Sequence, residues 1–210
     1  MPRGALIVAL DFTACAEDEF HDWYDTEHLP ERQRIDGFGV CERWISIANP
    51  KIGAATYDLD SADLLTSPAY QAIAGDNLSP WSKRLGKRYK RLQRSDGDQT
   101  NPGNALAPAG AGGLLINAMN VAPEHEADFN AWYDQEHLPA LSKVPGTILA
   151  RRFKSRAGSH KFLALYHLTT PEVVTTDAWK EAVNTPWTAR VRPTYQDHFR
   201  IVLRPYKRGA

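Results

Sequence analysis

At 210 residues the chain has room for one large domain or two small ones. Hydrophobic residues make up 42% and charged residues 24%, the balance of an ordinary globular protein rather than a disordered or fibrous one. Lys+Arg and Asp+Glu both number 25, so no global field draws nucleic acid or an acidic membrane surface, and no apolar run approaches bilayer-spanning length.

The N-terminal stretch 1–10 has the outline of a signal peptide, but a matching apolar segment, 114–119, lies mid-chain. Both therefore read as first strands. Residues 5–12 form a nearly continuous apolar run, as in a strand covered on both faces. From 17 to about 33 the periodicity is helical, with Pro30 expected to bend or end the helix. Asp36-Gly37 makes a turn. Strands follow over 38–47 and 54–59, then a helix over 62–74, a loop over 77–81 and a last strand over 84–94. The order is β-α-β-β-α-β, the ferredoxin-like unit.

Residues 95–113 read as a flexible Gly/Pro/Ala-rich linker. The programme then repeats: strand 114–121, helix 124–142, strands 147–154 and 162–168, helix 171–183 and last strand 194–204. This divides the chain into a first unit at 1–94, the linker and a second unit at 114–210.

One stretch shows the duplication directly. Phe20-His21-Asp22-Trp23-Tyr24-Asp25-Thr26-Glu27-His28-Leu29-Pro30 returns as Phe129-Asn130-Ala131-Trp132-Tyr133-Asp134-Gln135-Glu136-His137-Leu138-Pro139, eight of eleven positions identical at an offset of 109. The offset holds at Gly37/Gly146, Arg43/Arg152 and Tyr57/Tyr166, and drops to 106 at Pro80-Trp81/Pro186-Trp187. A single ferredoxin-like unit leaves one sheet face open; two such faces packed together would form an α+β barrel, with a pocket expected between the sheets.

The repeated pattern Phe-x-x-Trp-Tyr-x-x-x-His-x-Pro followed by Gly resembles the EthD family of the dimeric α/β barrel superfamily, here as a fused tandem pair. The resemblance implies a small-molecule catabolic role, a cavity-facing motif histidine and, among wider relatives, isomerases, polyketide cyclases, cofactor-independent monooxygenases and several haem proteins.

His28 and His137 are the first candidates for chemistry, as general acid or base. Glu27 and Glu136 fall inside the apolar arc, where a carboxylate needs a partner or takes a raised pKa. An ion pair with Arg43 or Arg152 is the structural alternative. Trp23, Tyr24, Trp132 and Tyr133 suit core packing or a wall for an aromatic ligand. Tyr57, Tyr166, Arg43, Arg152, Asn117 and His167 complete the candidate substrate contacts. Asn117 and His167 replace Val8 and Asp58, which weights the second unit toward a polar pocket.

Lys83 to Arg94 holds seven basic residues in twelve and reads as the solvated face of an edge strand rather than a nucleic-acid surface. Cys15 and Cys41 lack metal-ligand spacing, and no His-x-x-x-His occurs, so no metal is expected and free thiols in a cytoplasmic protein are. The expected activity is cofactor-independent acid–base chemistry of isomerase, lyase or cyclase type on a small, partly apolar, aromatic or carboxylate substrate. The alternatives are a cofactor-free or haem-dependent oxygenase and a non-catalytic ligand-binding protein. A homodimer of the fused pair is compatible with either.

Overall fold

Apolar residues of the first strand of each half alternate between two buried environments, and this sets the architecture. In the computed structural model, which describes residues 2–208, Ala5, Ile7 and Ala9 of β1 (Gly4–Asp11) pack in one cluster while Leu6 and Leu10 pack in another. The outer ends of the two expected units, Met1, Gly209 and Ala210, lie outside the described residues.

After β1 come α1 (Glu17–Trp23), a π-helical turn (Tyr24–His28) and α2 (Leu29–Gln33). Then follow β2 (Phe38–Ser46), β3 (Ile52–Leu59), α3 (Pro68–Gln71), α4 (Pro80–Gly86) and β4 (Lys90–Asn101). The second half runs β5 (Gly113–Val121), α5 (Glu126–Trp132), a π-helical turn (Tyr133–His137), α6 (Leu138–Ser142), β6 (Thr147–Gly158) and β7 (Phe162–Leu168). It ends with α7 (Asp177–Val183), α8 (Pro186–Val191) and β8 (Tyr195–Pro205).

All eight strands close into one antiparallel barrel in the order β1-β3-β2-β8-β5-β7-β6-β4. The fold is α+β, with helices outside the barrel. Three cores result: one under the helices of each half, and one filling the lumen. Ala5, Ala9, Ala54 and Ala118 leave room inside for Trp44 and Phe153. The expected pocket between the sheets is therefore occupied by side chains, because eight strands enclose just enough space to be filled.

Two expectations along the first half are corrected. The stretch 80–86, divided in the sequence reading between a loop and a strand, is helix. Ser79 caps it by accepting from the Ser82 amide, and Pro80 sits at its first turn. Residues 95–101 belong to β4 rather than to a linker, and they pair with β6 to form one of the two seams between halves. Their polar composition suggested a loop, yet Ser95 and Gln99 are buried. Gly97 is required there, since a Cβ would lie 2.1 Å from the Lys154 carbonyl oxygen. Closure also removes the edge assigned to β4, which pairs with β1 and β6.

Candidate functional site

The repeated motif folds as a helix interrupted by a π turn, and its proline is the local cause. Pro30 and Pro139 lack the N–H that would continue the α-helical ladder. One residue earlier, the Leu29 amide bonds back to the Tyr24 carbonyl and the Leu138 amide to that of Tyr133, a wider i to i−5 closure. The helix continues past each proline instead of ending. The turn brings the histidine onto the aromatic face: Tyr24 and His28 ring centroids lie 5.0 Å apart, and those of Tyr133 and His137 lie 5.2 Å apart.

Each histidine then faces a cavity between the outer sheet surface and the helices. The first holds about 310 Å³ and the second about 320 Å³. Both sit at the lower end of the range for small-molecule sites. Their walls correspond position by position: Leu6/Leu115, His28/His137, Tyr57/Tyr166 and Tyr70/Trp179 at the 109 offset, Tyr89/Tyr195 and Arg94/Arg200 at 106.

The Nδ1 atom of each motif histidine is buried without a partner, which leaves Nε2 as the atom open to the cavity. Burial, with Arg192 second, drives the His137 pKa down to about 3. Burial, then Arg32 and Arg43, holds His28 well below the usual imidazole range. Both rings are neutral at physiological pH. Burial also pushes the Tyr57 and Tyr166 hydroxyls well above the usual tyrosine value.

The remaining candidates divide sharply. Glu27 accepts from Ser79 Oγ at 2.5 Å and Ser82 Oγ at 3.1 Å, and Glu136 accepts from Thr185 Oγ1 at 2.5 Å. These carboxylates clamp the π turns to α4 and α8, and neither lines its cavity. Trp23 and Trp132 are core, donating to Ser82 Oγ and Thr188 Oγ1. Arg43 and Arg152 do not meet the motif glutamates. Each lies over its motif tyrosine, 4.4 Å from the Tyr24 centroid and 4.5 Å from that of Tyr133, and donates to Asp25 or Asp134. The repeated Tyr-Asp pair is thus an arginine cradle; neither arginine nor its aspartate lines a histidine cavity, although the Tyr24 ring also forms part of the first cavity's wall.

His167 sits in the lumen, not in a cavity. Its Nε2 faces an Arg151 NH2 at 3.0 Å, and Arg151 donates to Asp58 at 2.8 Å. Asn117 does line the second cavity, where its Oδ1 accepts from His198 Nε2 at 2.6 Å and its amide reaches the Tyr133 hydroxyl at 3.5 Å. By the repeat offsets the counterparts are Val8, which lines the first cavity, and Leu92, which packs against the lumen core instead. Sequence reasoning missed Arg32, which lines the first cavity where the second has Leu141. The signal was a charged residue breaking an otherwise apolar repeat position.

A metal-ligating histidine almost always donates its second ring N–H to an acceptor. Nδ1 of His28 and of His137 has none. Neither motif histidine therefore fits an axial haem ligand. Among the described residues there is no group of three metal-ligating side chains, and no helix is long and apolar enough to cross a membrane.

No family model matches the chain, and no curated protein matches it either. Solved structures do match. An anthrone oxidase-like protein aligns at 12% identity and TM-score 0.66, over 97% of this chain and 92% of that one. A monooxygenase candidate from Fusobacterium nucleatum aligns at 8% identity and TM-score 0.64, over 98% and 93%. A mutant chlorite dismutase from Candidatus Nitrospira defluvii aligns at 12% identity and TM-score 0.61, over 98% and 92%. At these identities the likeness concerns the fold alone, a closed antiparallel eight-stranded barrel with helices outside it.

Proposed function

We propose that this chain is an oxygenase acting without a prosthetic group on a largely apolar, ring-bearing carbon acid held in the second cavity. The carrying observation is His137: a neutral imidazole with no hydrogen bond at either nitrogen, facing a cavity walled by Leu115, Val174 and Trp179. An activated C–H or enol O–H placed against Nε2 finds a buried acceptor that no protein group engages. The substrate anion formed by proton transfer offsets the burial that disfavours imidazolium.

The chemistry balances without a cofactor. Proton transfer to His137 leaves a delocalised carbanion. The carbanion reduces O2 and forms a C–O bond. The imidazolium returns its proton to the terminal oxygen, and loss of water converts CH2 and O2 into C=O and H2O. The Asn117–His198 pair supplies a polar end to the cavity that would orient a substrate carbonyl. The solved structures described above as oxidase-like and monooxygenase-like carry the same fold and favour oxygen chemistry over isomerisation as the reading.

The wider organisation fits a fused pair. Each half presents one four-strand order, β4-β1-β3-β2 and β8-β5-β7-β6, as two ferredoxin-like units of EthD type would, joined through residues 102–112.

The test is oxygen uptake with anthrone as probe. Wild-type protein is expected to consume O2, and H137N to lose that activity while keeping its circular dichroism and melting temperature. Undiminished uptake by H137N overturns the reading. Conversion of a candidate substrate under strict anaerobiosis would move the assignment to isomerase or lyase chemistry at the same histidine.

A further inference from the structure

The first cavity differs from the second in one respect that its apolar walls do not explain. Arg32, on α2, is 4% exposed and lines the cavity. Its NH1 donates to the His28 carbonyl at 2.7 Å and meets Glu31 only at 3.4 Å. NH2 and Nε have no protein acceptor among the described residues, and neither atom is fully enclosed, so this edge of the guanidinium opens into the cavity. Arg91 and Arg94 stand at the same cavity, and no aspartate or glutamate lines it. Arg94 is paired with Asp96 at 3.1 Å, so Arg32 is the buried cation left with an open face.

Burying a guanidinium without a full complement of acceptors is costly. The equivalent residue across the duplication, Leu141, shows that this position packs without a charge. Glu31 compensates only in part, and burial raises its pKa, which weakens it as a counter-ion. Tyr24, Tyr57, Tyr70 and Tyr89 line the same cavity. The Tyr24 and Tyr57 hydroxyls lie 3.3 Å apart, so one donates to the other and the second keeps a proton for a ligand.

We infer that the first cavity is a separate binding site for a small aromatic carboxylate, held bidentately by the Nε and NH2 of Arg32 with its ring among the tyrosines. The ligand differs in class from the uncharged carbon acid of the second cavity, and the inference does not depend on the oxygenase reading.

The experiment is isothermal titration of the full chain with 1-naphthoate, 1-naphthylmethanol and inorganic phosphate as probes. Wild-type protein is expected to bind 1-naphthoate and to bind the other two far more weakly. R32L, which copies Leu141, should bind 1-naphthoate roughly ten- to a hundredfold less tightly, the scale of one lost charged hydrogen-bonding pair. R32K should fall between, and H137N should bind as wild type. The melting temperature of R32L checks that it folds. Equal affinity in R32L, no binding of 1-naphthoate by the wild type, or equal binding of naphthylmethanol or phosphate would each overturn the inference. Loss of binding in H137N would place the ligand in the other cavity and overturn it too.

Discussion

The imidazole of His137 stacks on the indole of Trp132, ring centroids 4.1 Å apart and planes 27° apart. The indole is fixed in turn by Thr188 on α8. The ring that meets the cavity is thereby oriented from behind by packing rather than by a hydrogen bond. Its environment penalises the charged form, and this has a measurable consequence for stability.

The folded-state pKa of His137, about 3, lies below the unfolded value of 6.5. The unfolded chain therefore binds the proton first. Stability is complete above pH 6.5 and declines as pH falls from there toward 3, by at most about 1.4 kcal/mol per pH unit for each histidine held neutral. His28 and His167 act with the same sign. Urea midpoints between pH 7 and 4 should show the decline, with a shallower slope in H137N. An unchanged slope in that variant would refute a buried neutral ring.

The prolines set the π turns, so P139A restores an amide and lets an ordinary α-helical ladder form. Stability is expected to change by no more than about 1 kcal/mol, while oxygen uptake falls because His137 is turned relative to Tyr133. Urea denaturation read beside activity checks this; loss of both together would mean that the proline is a folding element only.

The arginine cradle supports a second pair of variants. Arg152 is 4% exposed while the Asp134 side chain is half-exposed. R152A should cost roughly 2–4 kcal/mol through lost packing and a stranded partner. D134N should cost about 1 kcal/mol or less, since water replaces much of the carboxylate's contribution. Equal costs would contradict the geometry.

The lumen pair is the more demanding case. Asp58 holds Arg151 and also accepts from the Ala107 amide at 2.6 Å, tying the inter-half segment to the barrel. D58A leaves Arg151 buried without its counter-ion and should cost about 3–5 kcal/mol. D58A combined with R151M should recover a substantial part of that, as chemical denaturation will show.

Haemin titration offers a check of a different kind. With Nδ1 of both motif histidines lacking an acceptor, no Soret shift that depends on His28 or His137 is expected. A stoichiometric Soret band lost in H137N would reverse that conclusion.

The repeated motif was legible because it is written twice, and its offset alone pairs Leu6 with Leu115 and Tyr57 with Tyr166 across two cavities. Burial by face was less legible. A simple helical projection put Glu27 in the apolar arc but had no means of finding Ser79, brought to it by α4. The π turn defeated the same projection for His28, since one wide turn rotates everything after it. Residues 95–101 misled by composition: Ser95 and Gln99 are buried in a strand because the His160 carbonyl and the Ala105 backbone satisfy their side chains. Arg43 needed the third dimension, because its partner Asp25 lies on the arc's far side.

The barrel is fastened unequally. At one seam β4 and β6 align six residue pairs, from Ser95 with Gly158 to Asn101 with Arg152. At the other, β2 and β8 align three, Trp44, Ile45 and Ser46 against Pro205, Arg204 and Leu203. Pro205 has no amide to give that short seam. Like a hoop closed by one long weld and one short rivet, the structure has a preferred place to part. Under heat or tension the staves should separate between β2 and β8 first, leaving the halves hinged along β4 and β6 with their cavities still roofed.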